Sequence, residues 1–290
     1  MSAAYPLRTQ PQAVIPSRQR HAYLPVIVHA DDFGETVEIT GGICLAITAG
    51  VVTSTSVMVN MPGTAEALRR APRLAQQASF GVHLNLCEGR PLTQGATLMD
   101  AGGEFLRKRA LAARALAGKL SLPELEAEVT AQIGVLRDAG VTVSHLDGHK
   151  HLHQLPIVCA AVANVLPLFG IERVRITRLG SWRRVRGPSM LAREIAARHA
   201  ARVFARARLR SPLCTVDLRD LLAGHGVAPL AGPRSGPAPI EICCHPGTAA
   251  ADEGKPGSHR RGNELEYLLS PQFRAVLVAS GAALVSYWHV

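Results

Sequence analysis

Four short apolar runs each meet a histidine or a pair of acids at or near their ends, and helical periodicity follows most of them. The run 26–30 ends at Asp31-Asp32-Phe33-Gly34, and the run 80–86 contains His83. The run 141–146 leads into a histidine cluster at 145–153, and the run 240–244 leads into His245-Pro246-Gly247. Alternation of strand and helix over most of a chain implies a mainly parallel sheet with both faces covered by helices. Parallel strands deliver their C-terminal ends to one rim, where the working groups of α/β folds collect. The expectation is an α/β fold of a single domain with its polar clusters gathered at one end. Periodicity alone leaves open whether the sheet closes into a barrel.

The remaining elements fit that scheme. Helices are expected at 38–49, closed by Gly50, and at 122–139, with Pro123 at the start and Gly140 past the end. Further helices are expected at 156–169, 190–209 and 263–279, and further strands at 54–59, 173–176 and 282–287. Residues 1–24 read as a flexible N-terminal arm and 25–290 as the folded domain. The rhythm breaks at 88–121, where Gly, Pro and Thr lead into Arg107-Lys108-Arg109 and an Ala-rich helical piece; this stretch is expected to be an insertion or lid. Residues 223–239 are Gly/Pro-rich and read as a loop.

The cluster at 145–153 reads H-L-D-G-H-K-H-L-H. His145, Asp147, His149, His151 and His153 stand at every second position, so an extended backbone starts them all on one face. The Gly148 turn then decides which of them stay there. Imidazoles and carboxylates are the common protein ligands of zinc and similar divalent ions. Taken singly, Asp31-Asp32 also reads as a turn and helix cap, His83 as a core histidine, and His245 as a loop residue. Their convergence on one rim argues for a site. Two histidines and one aspartate leave coordination positions open, which describes a catalytic metal centre. A second carboxylate beside it is placed to take a proton from water, and a histidine opposite is placed to give one to a leaving group.

Charge and cysteine content bound the partners. The chain has 290 residues and a net charge of +10, from 32 Lys and Arg against 22 Asp and Glu. Twelve arginines fall within 173–210. They read either as a solvated helix face or as a surface for anionic lipid, with Arg193, Arg202, Arg206 and Arg210 sharing part of a face. Aromatic residues make up 4%, too few to stack bases, so no nucleic-acid partner is expected. The cysteines, Cys44, Cys87, Cys159, Cys214, Cys243 and Cys244, form no C-x-x-C pair and read as reduced thiols of a cytoplasmic protein. No secretory signal is visible in 1–25, and no run has the roughly 18–20 apolar residues of a membrane span.

Six motifs occurring in order carry a resemblance: A-D-D-F-G at 30–34, T-S-T-S-V-M-V-N at 53–60, G-V-H-L-N-L at 81–86, H-L-D-G-H-K-H-L-H at 145–153, C-H-P-G at 244–247 and R-G-N-E-L at 261–265. Together they resemble the YdjC-like carbohydrate deacetylases, a family that includes chitooligosaccharide deacetylases and deacetylases of hopanoid biosynthesis. The resemblance implies a (β/α) barrel-like fold, mainly parallel strands with outer helices, and one divalent metal ion, often magnesium, with zinc or another transition metal as the alternative. It implies hydrolysis of an N-acetyl group from an amino sugar, free or lipid-linked. By motif position Asp32, His83 and His149 would be metal ligands, Asp31 the general base and His245 the acid. His145, His151 and His153 would be supporting or substrate contacts, with Asp147 orienting a ligand histidine. Arg261 and Glu264 are expected as a structural or rim ion pair. The segment before C-H-P-G departs from the family, reading Cys214-Thr215-Val216-Asp217-Leu218 where an Asp/Phe-containing motif is usual.

A homodimer and peripheral contact with an anionic membrane are further expectations. Two competing functions remain open. One is another metal-dependent hydrolase on the same residues, such as a phosphoesterase, which would tend to use two ions. The other is a non-enzymatic protein that binds anionic lipid or polymer through its arginines.

Overall fold

In the computed structural model, residues 23–177, 187–222, 238–252 and 260–290 are described. The expected arm, apart from its last residues, and most of the expected loop at 223–239 lie outside the described residues. The chain runs β1 (Leu24–Phe33), α1 (Val37–Thr48), β2 (Ser54–Val57), α2 (Thr64–Leu74), β3 (Ser79–Leu84), α3 (Lys108–Leu116), α4 (Leu122–Asp138), β4 (Val143–Gly148), α5 (Pro156–Val165), α6 (Pro188–Arg206), β5 (Thr215–Asp217), α7 (Leu218–Asp220), β6 (Ile240–Cys244), α8 (Arg260–Leu269), α9 (Pro271–Ala279) and β7 (Ala282–Leu284).

Among the described residues the seven strands pair in parallel, in the order β4-β3-β2-β1-β6-β5, with β7 added to β1. β1 is the hub. Its first residues pair with β7, its later residues with β2, and its other edge with β6. Beyond the β4 edge the sheet continues through single bridges, Leu146 with Val174 and Arg173 with Arg210, so it curls toward β5 in a barrel-like form. The expected strand at 173–176 is reduced to this bridging step.

Alternation along β1 separates two interiors. Val26, Val28 and Ala30 point outward into the main apolar core with α1 residues such as Ile39, Ile43 and Ile47. Ile27 points inward and joins Tyr287 and Val290 in a separate small cluster. His29 and Asp31 follow Ile27 on the inward face, as the period of two requires. The inside of the sheet is thus apolar at its base and polar toward its C-terminal end.

Helix ends follow local chemistry. Thr36 caps α1, Ser121 caps α4 with Pro just inside, and Ser270 caps α9. The expected single helix at 263–279 is two helices. Ser270-Pro271 divides them, because proline cannot donate into a continuing helix and the Ser270 hydroxyl takes the Phe273 N–H instead. The stretch 88–121 carries α3 and one antiparallel bridge, Met99 with Phe105, and buries Leu98, Phe105, Leu106, Leu111 and Leu120 in the main core. Carboxylates of α4 tie it down. Glu124 accepts from the Thr97 N–H and hydroxyl, and Glu128 from the N–H groups of Leu92 and Thr93.

Candidate active site

The backbone of β1 breaks register with β2 between Ala30 and Phe33, and Asp32 has a φ of 68°. Regular alternation would send Asp31 and Asp32 to opposite faces. The bulge and the left-handed residue turn both carboxylates toward the inner rim, and aspartate tolerates that conformation better than most residues. Asp31 and Asp32 are each 3% exposed.

Asp32 collects two imidazoles. His83 Nε2 lies 3.2 Å and His149 Nδ1 3.1 Å from its Oδ1, while Arg261 donates to Oδ2 at 2.7 Å. The three ligand-capable atoms of Asp32, His83 and His149 lie within 4.8 Å of one another. His83 comes from β3 and is oriented from behind by Asp147 of β4, whose Oδ1 is 2.8 Å from Nδ1. Such a carboxylate–imidazole contact leaves the other ring nitrogen aimed at a metal position. His149 follows the last residue of β4. Lys150 and His151, with φ of 53° and 61°, turn the chain away from the extended path, so the cluster at 145–153 does not keep one face beyond His149.

Asp31 answers to a different partner. The Arg175 guanidinium grips it with two hydrogen bonds of 2.8 Å, and also reaches Asp147 at 2.9 Å and Glu241 at 2.6 Å. Arg175 is fully buried. His245, on the turn after β6, places Nε2 3.7 Å from Asp31 Oδ2, and its side chain is 31% exposed. Its backbone N–H donates to Glu264 at 2.6 Å, which sets the turn against α8. Arg261 also reaches Glu35 at 2.8 Å.

Below the rim lies a polar floor. His29 meets the hydroxyls of Ser54 and Ser56 at 2.9 and 3.1 Å, and Ser56 donates to Asp147 at 2.9 Å. His145 stacks on Tyr287 with ring centroids 3.6 Å apart, one layer beneath the rim. His153 Nε2–H donates to the Arg175 carbonyl at 3.0 Å and so helps to hold the segment that bears the guanidinium.

Charge sets the protonation states. Burial pushes the Asp31 carboxyl up, but Arg175, His83 and His245 together outweigh it and hold it well below the usual range. Burial likewise opposes ionisation of Asp32, and hydrogen bonds from His149 and His83 overcome it. His83 is raised well above the ordinary imidazole value, because Asp147 and Asp32 outweigh the effect of burial. His145 is neutral, kept low by burial and by His29, and burial lowers His153 to about 4. The carboxylates Asp31, Asp32, Asp147 and Glu241 outnumber the guanidiniums Arg175 and Arg261 around the rim. Asp32, His83 and His149 together offer one oxygen and two nitrogen donors, a donor set suited to a divalent cation.

Sequence reasoning named the rim residues but missed Arg175, Glu241, His29 and Ser56. The signals were an arginine and a glutamate inside apolar strand patterns, at V-R-I and I-E-I.

Residues 25–279 match the family model described as YdjC-like protein. This chain belongs to that family. A human relative named carbohydrate deacetylase is 35% identical over 291 residues, covering 89% of this chain and 88% of the relative. A mouse relative of the same name is 34% identical and covers 89% and 92%. A solved structure from Enterococcus faecalis V583, of a proposed cellobiose-phosphate cleavage protein, aligns at a TM-score of 0.72 and 22% identity, over 92% of this chain and 98% of that one. At that identity the likeness shows the fold. Within the YdjC-like family the rim residues described above therefore stand on a barrel-like frame shared with a solved structure. No helix among the described residues is long and apolar enough to cross a membrane.

Proposed function

We propose that this chain hydrolyses the N-acetyl group of an amino sugar, using a divalent ion held by Asp32, His83 and His149. The observation that carries the reading is one rim on which that ligand set, an ionised carboxylate and a solvent-reaching histidine lie side by side. The mammalian relatives named carbohydrate deacetylase support sugar deacetylation as the coarse activity.

An ion in that set would supply Lewis acidity to a water and to the acetamide carbonyl. The chain's own groups do the rest. Asp31, held ionised by Arg175, accepts the proton of the attacking water. Its low proton affinity makes it a weak acceptor at rest and a ready donor once protonated, so the proton is not trapped there. His245, partly open to solvent, gives a proton to the departing amine. Asp147 holds the His83 ring, and Arg261 holds the second oxygen of Asp32. Two imidazoles favour zinc or another transition ion over magnesium, which prefers oxygen donors.

The carrier of the sugar is the finer part of the proposal. Helix α6 exposes Leu191 and Ile195 together with Arg193, Arg198, Arg202 and Arg206, a basic and apolar mixture suited to a lipid-linked substrate at a cytoplasmic membrane surface. Equal turnover of soluble and lipid-linked sugars, with no binding to anionic vesicles at low salt, would remove this part.

The test is acetate release from N-acetylhexosamines by metal-stripped protein, repeated after adding zinc, cobalt, manganese or magnesium. Activity should return with metal, and Asp31→Asn should lower it by about 100- to 10,000-fold while one ion still binds. Tight metal binding without acetate release from any sugar would overturn the deacetylase assignment.

A further inference from the structure

The rim holds a second donor group, and its sulfur, on Cys243, is left unused by the mechanism. Glu241, Cys243 and then His245 follow one another along β6 and the turn after it, at every second position. Glu241 meets Arg175 on the inner face, so Cys243 is carried to that face as well. Cys244, on the alternate side, donates its thiol to the His29 carbonyl at 3.2 Å. Asp31, Cys243 and His245 each offer one atom, a carboxylate oxygen, a sulfur and an imidazole nitrogen, within 4.8 Å of one another. We propose that these three residues form an inhibitory site for a thiophilic divalent cation such as zinc, distinct from the one at Asp32, His83 and His149.

The donor chemistry separates the two sites. The first offers one oxygen and two nitrogens and no sulfur. The second offers a cysteine sulfur, a donor that selects zinc, cadmium or cobalt and rejects magnesium. Asp31 is not exhausted by Arg175, since an ionised carboxylate has about four lone-pair positions and the guanidinium takes two. Cys243 is 5% exposed and Asp31 3%, but the His245 side chain is 31% exposed, which gives an ion a way in from solvent. Coordination replaces the thiol proton, which leaves to solvent, one per ion bound.

The consequence is inhibition by occupation. An ion there ties up the proposed proton acceptor and the proposed proton donor together. The binding half of the inference stands apart from the deacetylase reading, and the inhibition half rests on it.

The experiment titrates zinc into metal-stripped full-length protein and counts bound ions by equilibrium dialysis. Wild type should bind two per chain and Cys243→Ala one, with unchanged circular dichroism. Cadmium should give a sulfur-to-metal charge-transfer absorption in wild type that is complete by the second equivalent. This measurement decides the matter on wild type alone if Cys243→Ala fails to fold. In the acetate-release assay, zinc beyond one equivalent should inhibit wild type, and Cys243→Ala should keep its basal rate and need roughly tenfold more zinc for the same inhibition. One zinc per wild-type chain, two in Cys243→Ala, or no cadmium–thiolate band would overturn the site. Two bound zincs and the band without any acetate release would instead overturn the deacetylase reading and leave the site standing.

Discussion

Arg175 compensates three buried carboxylates at once, Asp31, Asp147 and Glu241. Removing one partner of a buried ion network leaves charge uncompensated, which costs about 3–5 kcal/mol. Arg175→Met is therefore expected to lose that much in urea unfolding, and Arg175→Lys to rescue it poorly because an ammonium cannot grip both oxygens of Asp31. His153 makes a second prediction. It titrates at about 4 in the folded chain and near about 6.5 when unfolded. Between those values the unfolded chain binds a proton that the native chain refuses. The stability from this group is full above pH ~6.5 and is lost as pH falls toward 4, by about 3 kcal/mol at most. Unfolding free energies measured across that window should fall with acid, and His153→Gln should flatten part of the slope. His145 and His151, also lowered by burial, keep the remainder. These two cases show what the sequence let through. Asp31, Asp32, His83 and His245 were legible because histidines and paired acids at strand ends are uncommon. Arg175 was hidden among twelve arginines that read as surface, and only its place between Val174 and Ile176 marked it as buried.

Elements position these residues through close backbone approaches. A Cβ on Gly42 of α1 would stand 2.5 Å from the Gly247 Cα, in the turn that carries His245. Gly42→Ala must therefore push that turn outward. The expected result is about 1–3 kcal/mol of destabilisation and a loss in kcat larger than any change in KM, read from steady-state kinetics beside a thermal melt. On the far side, Gln132 of α4 clamps the loop after β3, donating to the Asn85 carbonyl at 2.7 Å and accepting its N–H at 3.1 Å. That loop carries Glu88, whose Oε1 lies 3.4 Å from His149 Nε2. Helices with clean caps, such as α1 and α4, were readable from periodicity and end signals. The break between α8 and α9 falls inside a continuous apolar rhythm, and only the Ser-Pro pair betrays it. The bulge at Asp32 left no mark in the pattern, because it depends on how β1 meets β2.

At the scale of the molecule, an ion bound as proposed would couple the strand ends. Asp32, His83 and His149 come from β1, β3 and the exit of β4, so a ligand at their centre resists their separation. An ion present at about 100 times its Kd should raise unfolding free energy by about 2.7 kcal/mol. The gain, read from denaturant titration with and without chelator, should disappear in Asp32→Ala. The order in which the sheet can be assembled follows from the hub position of β1. Val26 pairs with Ile240 and Leu24 with Ala282, so the strand made early waits for most of the chain before its edges are filled. Its Val-Ile-Val run meanwhile presents an open, β-prone edge to other nascent chains. The segment that bears both aspartates is thus also the one most exposed to misassociation during synthesis. Soluble yield should rise with a co-expressed holdase chaperone and collapse when translation stops short of β6.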